Sequence, residues 1–200
     1  MSVSVDQIKE LRAQTGAGMM DCKKALLEAE GDLGEATKIL RKKGLADLQE
    51  RSGRTAKEGI VDCYVHGEGK IGVLVEVNCE TDFVARNADF KGFVHDVAMQ
   101  IAAANPAYVR REEVPEQELE NEKDIYKTQA LSEGKPEKIV DKIVEGRVEK
   151  FYKAVCLLEQ PFIKDQDITI ESYLGDLACK LGEKIVISRF VRFQLGATAD

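Results

Sequence analysis

The chain has 200 residues, 32% of them charged and 44% hydrophobic, with a formal net charge of −7. That length supports one sizeable core, or a small module beside a larger one. The acidic balance argues against nucleic acid as a direct ligand, and no apolar run approaches the roughly 20 residues that span a membrane.

The first segment, Ser4 to Gly44, predicts three short helices. Ser4 and Gln7 have capping-box spacing, and Val5, Ile8 and Leu11 follow at helical intervals. Gly16 suits the left-handed position after that helix. The second helix runs from about Met19 to Glu30, with Met19, Cys22, Leu26 and Ala29 on the core spacing and Met20 and Leu27 off it. Asp32 and Glu35 start a third helix, whose stripe is Leu33, Ala36 and Leu40 and whose end is Gly44. Residues 45–57 have no sustained apolar face and read as a linker with a frayed helical turn.

Residues 58–200 read as the larger domain. Gly59–His66 and Gly72–Cys79 are rich in β-branched residues and flank a Gly-Glu-Gly-Lys turn, which predicts a hairpin. Val61, Cys63 and Val65 share one face; Val73, Val75, Val77 and Cys79 share a face of the partner strand. A helix from Ala88 to Ala104 carries Phe90, Phe93, Val94, Val97 and Ile101, and Asn105-Pro106 ends it. Residues 116–155 predict a helical hairpin broken at Gly134 and Pro136. Its first helix has a thin stripe of Leu119, Ile125, Tyr126 and Leu131; its second has Val140, Ile143, Val144, Val148, Phe151 and Val155. Thr169 caps a helix bearing Ile170, Leu174, Leu177, Ala178 and Leu181, and Glu183–Phe193 is a last strand. The order β-β-α-α-α-α-β is α+β: a small antiparallel three-stranded sheet packed with helices. In the last strand Ile185, Ile187, Val191 and Phe193 fall on one face, Val186 and Phe190 on the other. A sheet with helices on one side leaves such a second face for another chain, or for the helical hairpin to cover.

Enzyme-like signals are weak. Gly67-Glu-Gly-Lys-Ile-Gly72 fits G-x-G-x-x-G, but it opens a strand and not the helix a dinucleotide needs. Cys63 and His66 lie on opposite faces of a strand, and His66 and His95 are the only two histidines, too few for a usual zinc site. Cys79 and His95 are the one conceivable nucleophile–base pair. Cys79, however, is in phase with Val73, Val75 and Val77, which predicts a packed, inert thiol. No catalytic residue, metal site or cofactor is expected. Five scattered cysteines without a C-x-x-C pair fit reduced thiols, and Met1–Asp6 has the pattern of neither a signal nor a transit peptide. A cytoplasmic protein is expected.

Two stretches are more informative. In Arg12–Leu26, Met20 offers a soft contact surface, or else packs under the linker. In Asn78-Cys-Glu-Thr-Asp-Phe-Val-Ala-Arg-Asn87, Phe83 stands among capping residues between a strand and a helix. It covers the end of the sheet, or is a ring offered to a partner beside the Asp82 carboxylate.

Leu11-Arg-Ala-Gln-Thr-Gly-Ala-Gly-Met-Met-Asp-Cys-Lys-Lys-Ala-Leu26 and Val75-Glu-Val-Asn-Cys-Glu-Thr-Asp-Phe-Val-Ala-Arg-Asn87 resemble, in order, the two signatures of the elongation factor Ts family. Leu158–Phe162 and Gly182–Val186 resemble it too, so the likeness covers essentially the whole chain. The resemblance implies that residues 1–44 are a ubiquitin-associated-like module that contacts the GTPase domain of elongation factor Tu through Arg12, Met19, Met20 and Lys23. It implies that Thr81, Asp82, Phe83 and Val84 insert beside the partner's nucleotide and help to dislodge magnesium. The expected function is guanine nucleotide exchange on elongation factor Tu, by binding and without enzymatic chemistry, with both GDP-bound and nucleotide-free Tu as partners. A single sheet core resembles the bacterial short form, which implies a homodimer built from residues 58–200.

Overall fold

The computed structural model describes residues 3–197, except for the side chains at positions 45, 47, 48 and 49. Among the described residues eight α-helices and five strands follow the order α1–α3, β1, β2, α4–α7, β3, β4, α8, β5, and the fold is α+β.

The chain divides into two compact units. The first takes the chain up to Ile60 together with Val77–Phe93 and Ser172–Val186; the second takes Val61–Glu76, Val94–Glu171 and the chain from Ile187 onward. Strands β1 (Glu58–His66), β2 (Ile71–Cys79) and β5 (Val186–Gln194) form a three-stranded antiparallel sheet of order β1-β2-β5.

Within the first unit, α1 (Val5–Thr15), α2 (Met19–Glu28) and α3 (Leu33–Arg51) pack around Ile8, Leu11, Cys22, Ala25, Leu26 and Ala36. The capping box forms: Gln7 N–H donates to Ser4 Oγ at 3.1 Å, and Ser4 N–H to Gln7 Oε1 at 3.0 Å. Asp32 Oδ1 accepts Glu35 N–H at 2.8 Å and starts α3. Two expectations fail here. Val5 and Met19, placed on the core spacing, are both exposed. Each lies in the first turn of its helix, where periodicity fixes direction but not depth. Gly44 does not end α3, which continues into the expected linker as far as Arg51. A Cβ on Gly44 would lie 2.9 Å from Cys179 Sγ, so this glycine serves a close crossing of α3 on α8 (Ile170–Leu181). Arg51 Nη1 donates to Ala178 O at 3.2 Å along the same seam. The rest of this unit buries Val77, Cys79, Phe90, Phe93, Leu177, Ala178 and Ile185. Phe93 meets Tyr173 edge-on at 4.9 Å. At Gly59 the φ is +141° and a Cβ would fall 2.2 Å from Val77 O, which only glycine avoids.

In the second unit the turn between β1 and β2 is a hairpin turn, closed by Lys70 N–H to His66 O at 3.1 Å, as its strand context predicts. Val73 and Val75 of β2 and Val94, Val97, Ala98 and Ile101 of α5 (Ala88–Ala104) are buried. Helices α6 (Glu116–Ser132) and α7 (Glu137–Val155) form the predicted hairpin around Ala130, Val140 and Val148. At its base the Arg111 guanidinium bridges Glu149 and Glu159 and lies 4.4 Å over the Tyr152 ring. A two-stranded ribbon, β3 (Pro161–Phe162) with β4 (Asp165–Thr169), has no counterpart in the sequence reading. Its two-residue first strand is too short to show alternation. Gln100 fastens it: its amide N donates to Gln160 Oε1 (3.1 Å) and Pro161 O (3.2 Å), and its oxygen accepts Ile163 N–H (2.9 Å).

The β5 pattern also differs from the expectation. Ile185 and Ile187 are buried, but Val191 and Phe193 are exposed, while Phe190 is half-buried and the Arg192 guanidinium reaches Ala102 O on α5 at 3.2 Å. The strand changes phase between Ile187 and Phe190, so its apolar residues divide between faces in a way that strict period-two counting reverses.

Candidate functional site

The site residues read from the sequence all belong to the first compact unit. They form two groups there.

The first group lies on α1 and α2. Arg12, Met19, Met20 and Lys23 are all exposed, and Met20 keeps 63% of its surface. Of the two readings left open for Met20, packing under the following segment is excluded. Leu27, the other residue off the core face, is exposed as well. The helix beneath is held by buried Cys22, Ala25 and Leu26, so the methionines are presented on a fixed surface.

The second group is Thr81, Asp82, Phe83 and Val84. Asp82–Ala85 is a single helical turn, α4, capped by Thr81, whose Oγ1 accepts Val84 N–H at 3.4 Å. Val84 and Ala85 are buried and anchor the turn. Phe83 points the other way and is 82% exposed, so it does not cover the end of the sheet. Asp82 is half-buried, and its carboxylate is held by Arg86 Nη2 at 2.9 Å. Burial of a large apolar ring is favourable, and Phe83 nevertheless leaves most of its ring in water on a hydrogen-bonded turn.

The backbone of this turn is fixed from two sides. Glu183 Oε2 accepts the N–H groups of Glu80 and Thr81, both at 3.0 Å, and Oε1 accepts the Thr81 hydroxyl at 2.6 Å. The Cys79 thiol donates to Thr81 O at 3.1 Å. Burial first, then the Glu183 carboxylate, pushes the Cys79 thiol up to about 11. That is the reverse of an activated nucleophile. His95 lies with its Nδ1 3.3 Å from Asp62 Oδ2 and its ring edge-on to Tyr64. Each member of the conceivable Cys79–His95 pair is thus engaged with other groups. Among the described residues no cluster of three or more His, Cys, Asp and Glu is placed to hold a metal ion.

Sequence reasoning missed Glu80, Glu183 and Lys184. They come together from positions about a hundred residues apart, and spacing gives no sign of that. The signals were that Glu80 lies within the Val75–Asn87 signature and that Gly182–Val186 carries part of the family resemblance.

A family profile described as "Elongation factor TS" matches residues 1–197. The chain belongs to the elongation factor Ts family. It is 60% identical over 194 residues to elongation factor Ts of Desulforamulus reducens, covering 97% of this chain and 89% of that one. Elongation factor Ts of Moorella thermoacetica is 59% identical, with 97% and 96% covered. That of Caldanaerobacter subterraneus is 58% identical, with 97% covered in each. The family places the chain among the factors of translation elongation. Among the described residues no helix is long and apolar enough to cross a membrane.

Proposed function

We propose that the chain is a guanine nucleotide exchange factor for elongation factor Tu. The observation that carries this is the 82% exposed Phe83 on a capped, carboxylate-fixed turn, within a signature of the elongation factor Ts family. Phe83 and Asp82 press on the elements around the partner's magnesium and phosphates, with Thr81 and Val84 shaping the turn that presents them. Arg12, Met19, Met20 and Lys23 grip the GTPase domain elsewhere. Magnesium neutralises phosphate charge on bound GDP, so its displacement removes much of the attraction that holds the nucleotide. A partner that prefers the distorted, nucleotide-free state weakens GDP by the factor by which GDP weakens the partner. The protein makes and breaks no bond in this scheme and works in the cytoplasm on GDP-bound and nucleotide-free Tu.

The same proposal includes a homodimer. In the second unit Asp62 and Tyr64 turn toward His95 of α5, which leaves Val61, Cys63 and Val65 on the opposite face of β1. Leu74 on β2 and Val191 and Phe193 on β5 are exposed on that face too, Phe193 at 70%. The helical hairpin does not cover these side chains. A second copy, related by a two-fold axis, buries the patch identically on both chains.

The test is release of fluorescent GDP from elongation factor Tu, timed with and without the protein. Acceleration that is lost in folded Phe83→Ala supports the proposal; no acceleration at any concentration overturns it.

A further inference from the structure

We propose that Glu183 is a positioning residue for Phe83, and that Glu183, Glu80 and Lys184 form a latch that ties the Phe83 turn to the C-terminal end of α3. The inference rests on the exchange function proposed above and names a group that acts through Phe83 without itself touching the partner.

A helix of one turn does not stand alone, because nucleation fixes several dihedrals for a single hydrogen bond. Phe83 contributes nothing to holding α4, since its ring is exposed. Something else sets the backbone. Every polar group of Thr81 has a partner: its N–H and hydroxyl go to the Glu183 carboxylate, its hydroxyl oxygen accepts Val84 N–H, and its carbonyl accepts the Cys79 thiol and Ala85 N–H. Three of the donors in this region, from Glu80 and Thr81, converge on the one carboxylate. Charge-assisted bonds of that kind are stronger than neutral ones and directional.

The exchange is reciprocal. Glu80 Oε1 accepts Lys184 N–H at 2.6 Å and lies 3.4 Å from Arg54 Nη1. Lys184 Nζ donates to Ser52 O at 2.5 Å and to Arg54 O at 2.9 Å, just beyond α3. Residues 80–81 and 183–184 thus exchange carboxylate-to-backbone bonds in both directions, and the lysine carries the connection to the helix on which α1 and α2 pack. The probe and the methionine surface are held as one body. A ring aimed at a partner acts only if it arrives in place, and freedom of a few ångströms costs rate without costing encounter.

Two measurements decide. The chain has no tryptophan, so Phe83→Trp supplies a single indole whose anisotropy decay reports turn mobility in the free protein. Glu183→Ala is expected to add a fast component to that decay, and Glu183→Gln, which keeps an acceptor, to restore most of the slow one. An unchanged decay in Glu183→Ala overturns the latch. In the exchange assay with Phe83 in place, Glu183→Ala is expected to lower the maximal rate of GDP release about tenfold while half-saturation moves less than about threefold. In a Phe83→Ala background the same change is expected to do nothing further; an equal loss there, or a loss confined to half-saturation, overturns the proposal. Should Glu183→Ala fold poorly, Glu183→Asp, which keeps the charge but withdraws the carboxylate from the turn by one methylene, is read by the same criteria. If the unaltered protein releases no GDP, the proposed function fails, and the anisotropy arm still settles whether Glu183 positions residue 83.

Discussion

Phe83 and Leu26 show how far burial separates roles for side chains of similar character. Leu26 is fully buried in the helical module, so Leu26→Ala is expected to cost about 2–5 kcal/mol of module stability, measured by denaturant melting. Met20 and Phe83 are exposed, so alanine at either is expected to leave the melting curve nearly unchanged. Phe83→Ala is nevertheless expected to slow GDP release at least about tenfold, equivalent to about 1.4 kcal/mol of lost coupling. Met20→Ala is expected to weaken the complex with Tu, read by titration. A melting temperature that falls on Met20→Ala would mean the residue is core. The cysteines divide in the same way. Cys63 and Cys179 are exposed, whereas Cys22, Cys79 and Cys156 are buried, and burial pushes Cys79 and Cys156 up to about 11. With iodoacetamide at pH 8, peptide mapping is expected to find Cys179 alkylated, Cys63 alkylated where no second copy covers the sheet face, and the other three protected until denaturant is added.

At the scale of elements, the sequence was legible where local chemistry decides. The Ser4 capping box, the Asp32 cap, the β1–β2 hairpin and the α6–α7 hairpin each depend on residues a few positions apart, and each is present. It was illegible where distant residues decide. Gly44 looks like a helix stop, because glycine is a poor helix former, yet Cys179 across the seam explains it. The phase change in β5 goes with the Arg192 guanidinium reaching Ala102 O on α5, and the β3–β4 ribbon depends on the amide of Gln100. The site divides similarly. Exposure of Met20 and Phe83 was among the readings the sequence allowed, but the carboxylate that fixes the Phe83 turn comes from the other end of the chain. Gly44 offers a direct test of the seam. Gly44→Leu gains helix propensity but overfills the crossing, and is expected to destabilise by about 1–3 kcal/mol. Cys179→Ala in the same chain is expected to recover part of that loss. If Gly44→Leu stabilises the protein, α3 and α8 do not cross closely there.

At the scale of the whole molecule, the open sheet face is the feature that needs an explanation. Val61, Val65, Leu74, Val191 and Phe193 are exposed on three neighbouring strands, and Arg189 on β5 pairs with Glu76 on β2 at 2.7 Å. Apolar side chains on adjoining strands form a patch, where single exposed residues would need no account. Both β1 and β5 are edge strands, so the patch extends to both margins of the sheet. A face-to-face pairing of two such sheets buries it at the spacing of about 10 Å usual for stacked sheets, and the two-fold axis makes the contact self-complementary. Phe193 is the residue to alter, because Phe190 is half-buried and a charge there would strike the fold itself. The proposed dimer predicts a single species of twice the 22.2 kDa monomer mass at micromolar concentration, dissociating on Phe193→Asp with secondary structure intact. Sedimentation equilibrium of the two proteins side by side measures this. A 22.2 kDa species in the unaltered protein would remove the dimer, and a dimer indifferent to Phe193→Asp would move it to another surface. The exchange assay then separates assembly from activity. The Phe83 turn belongs to the first unit and the patch to the second, so a dissociated but folded Phe193→Asp chain is expected to keep the Tu-bound release rate per site within about twofold.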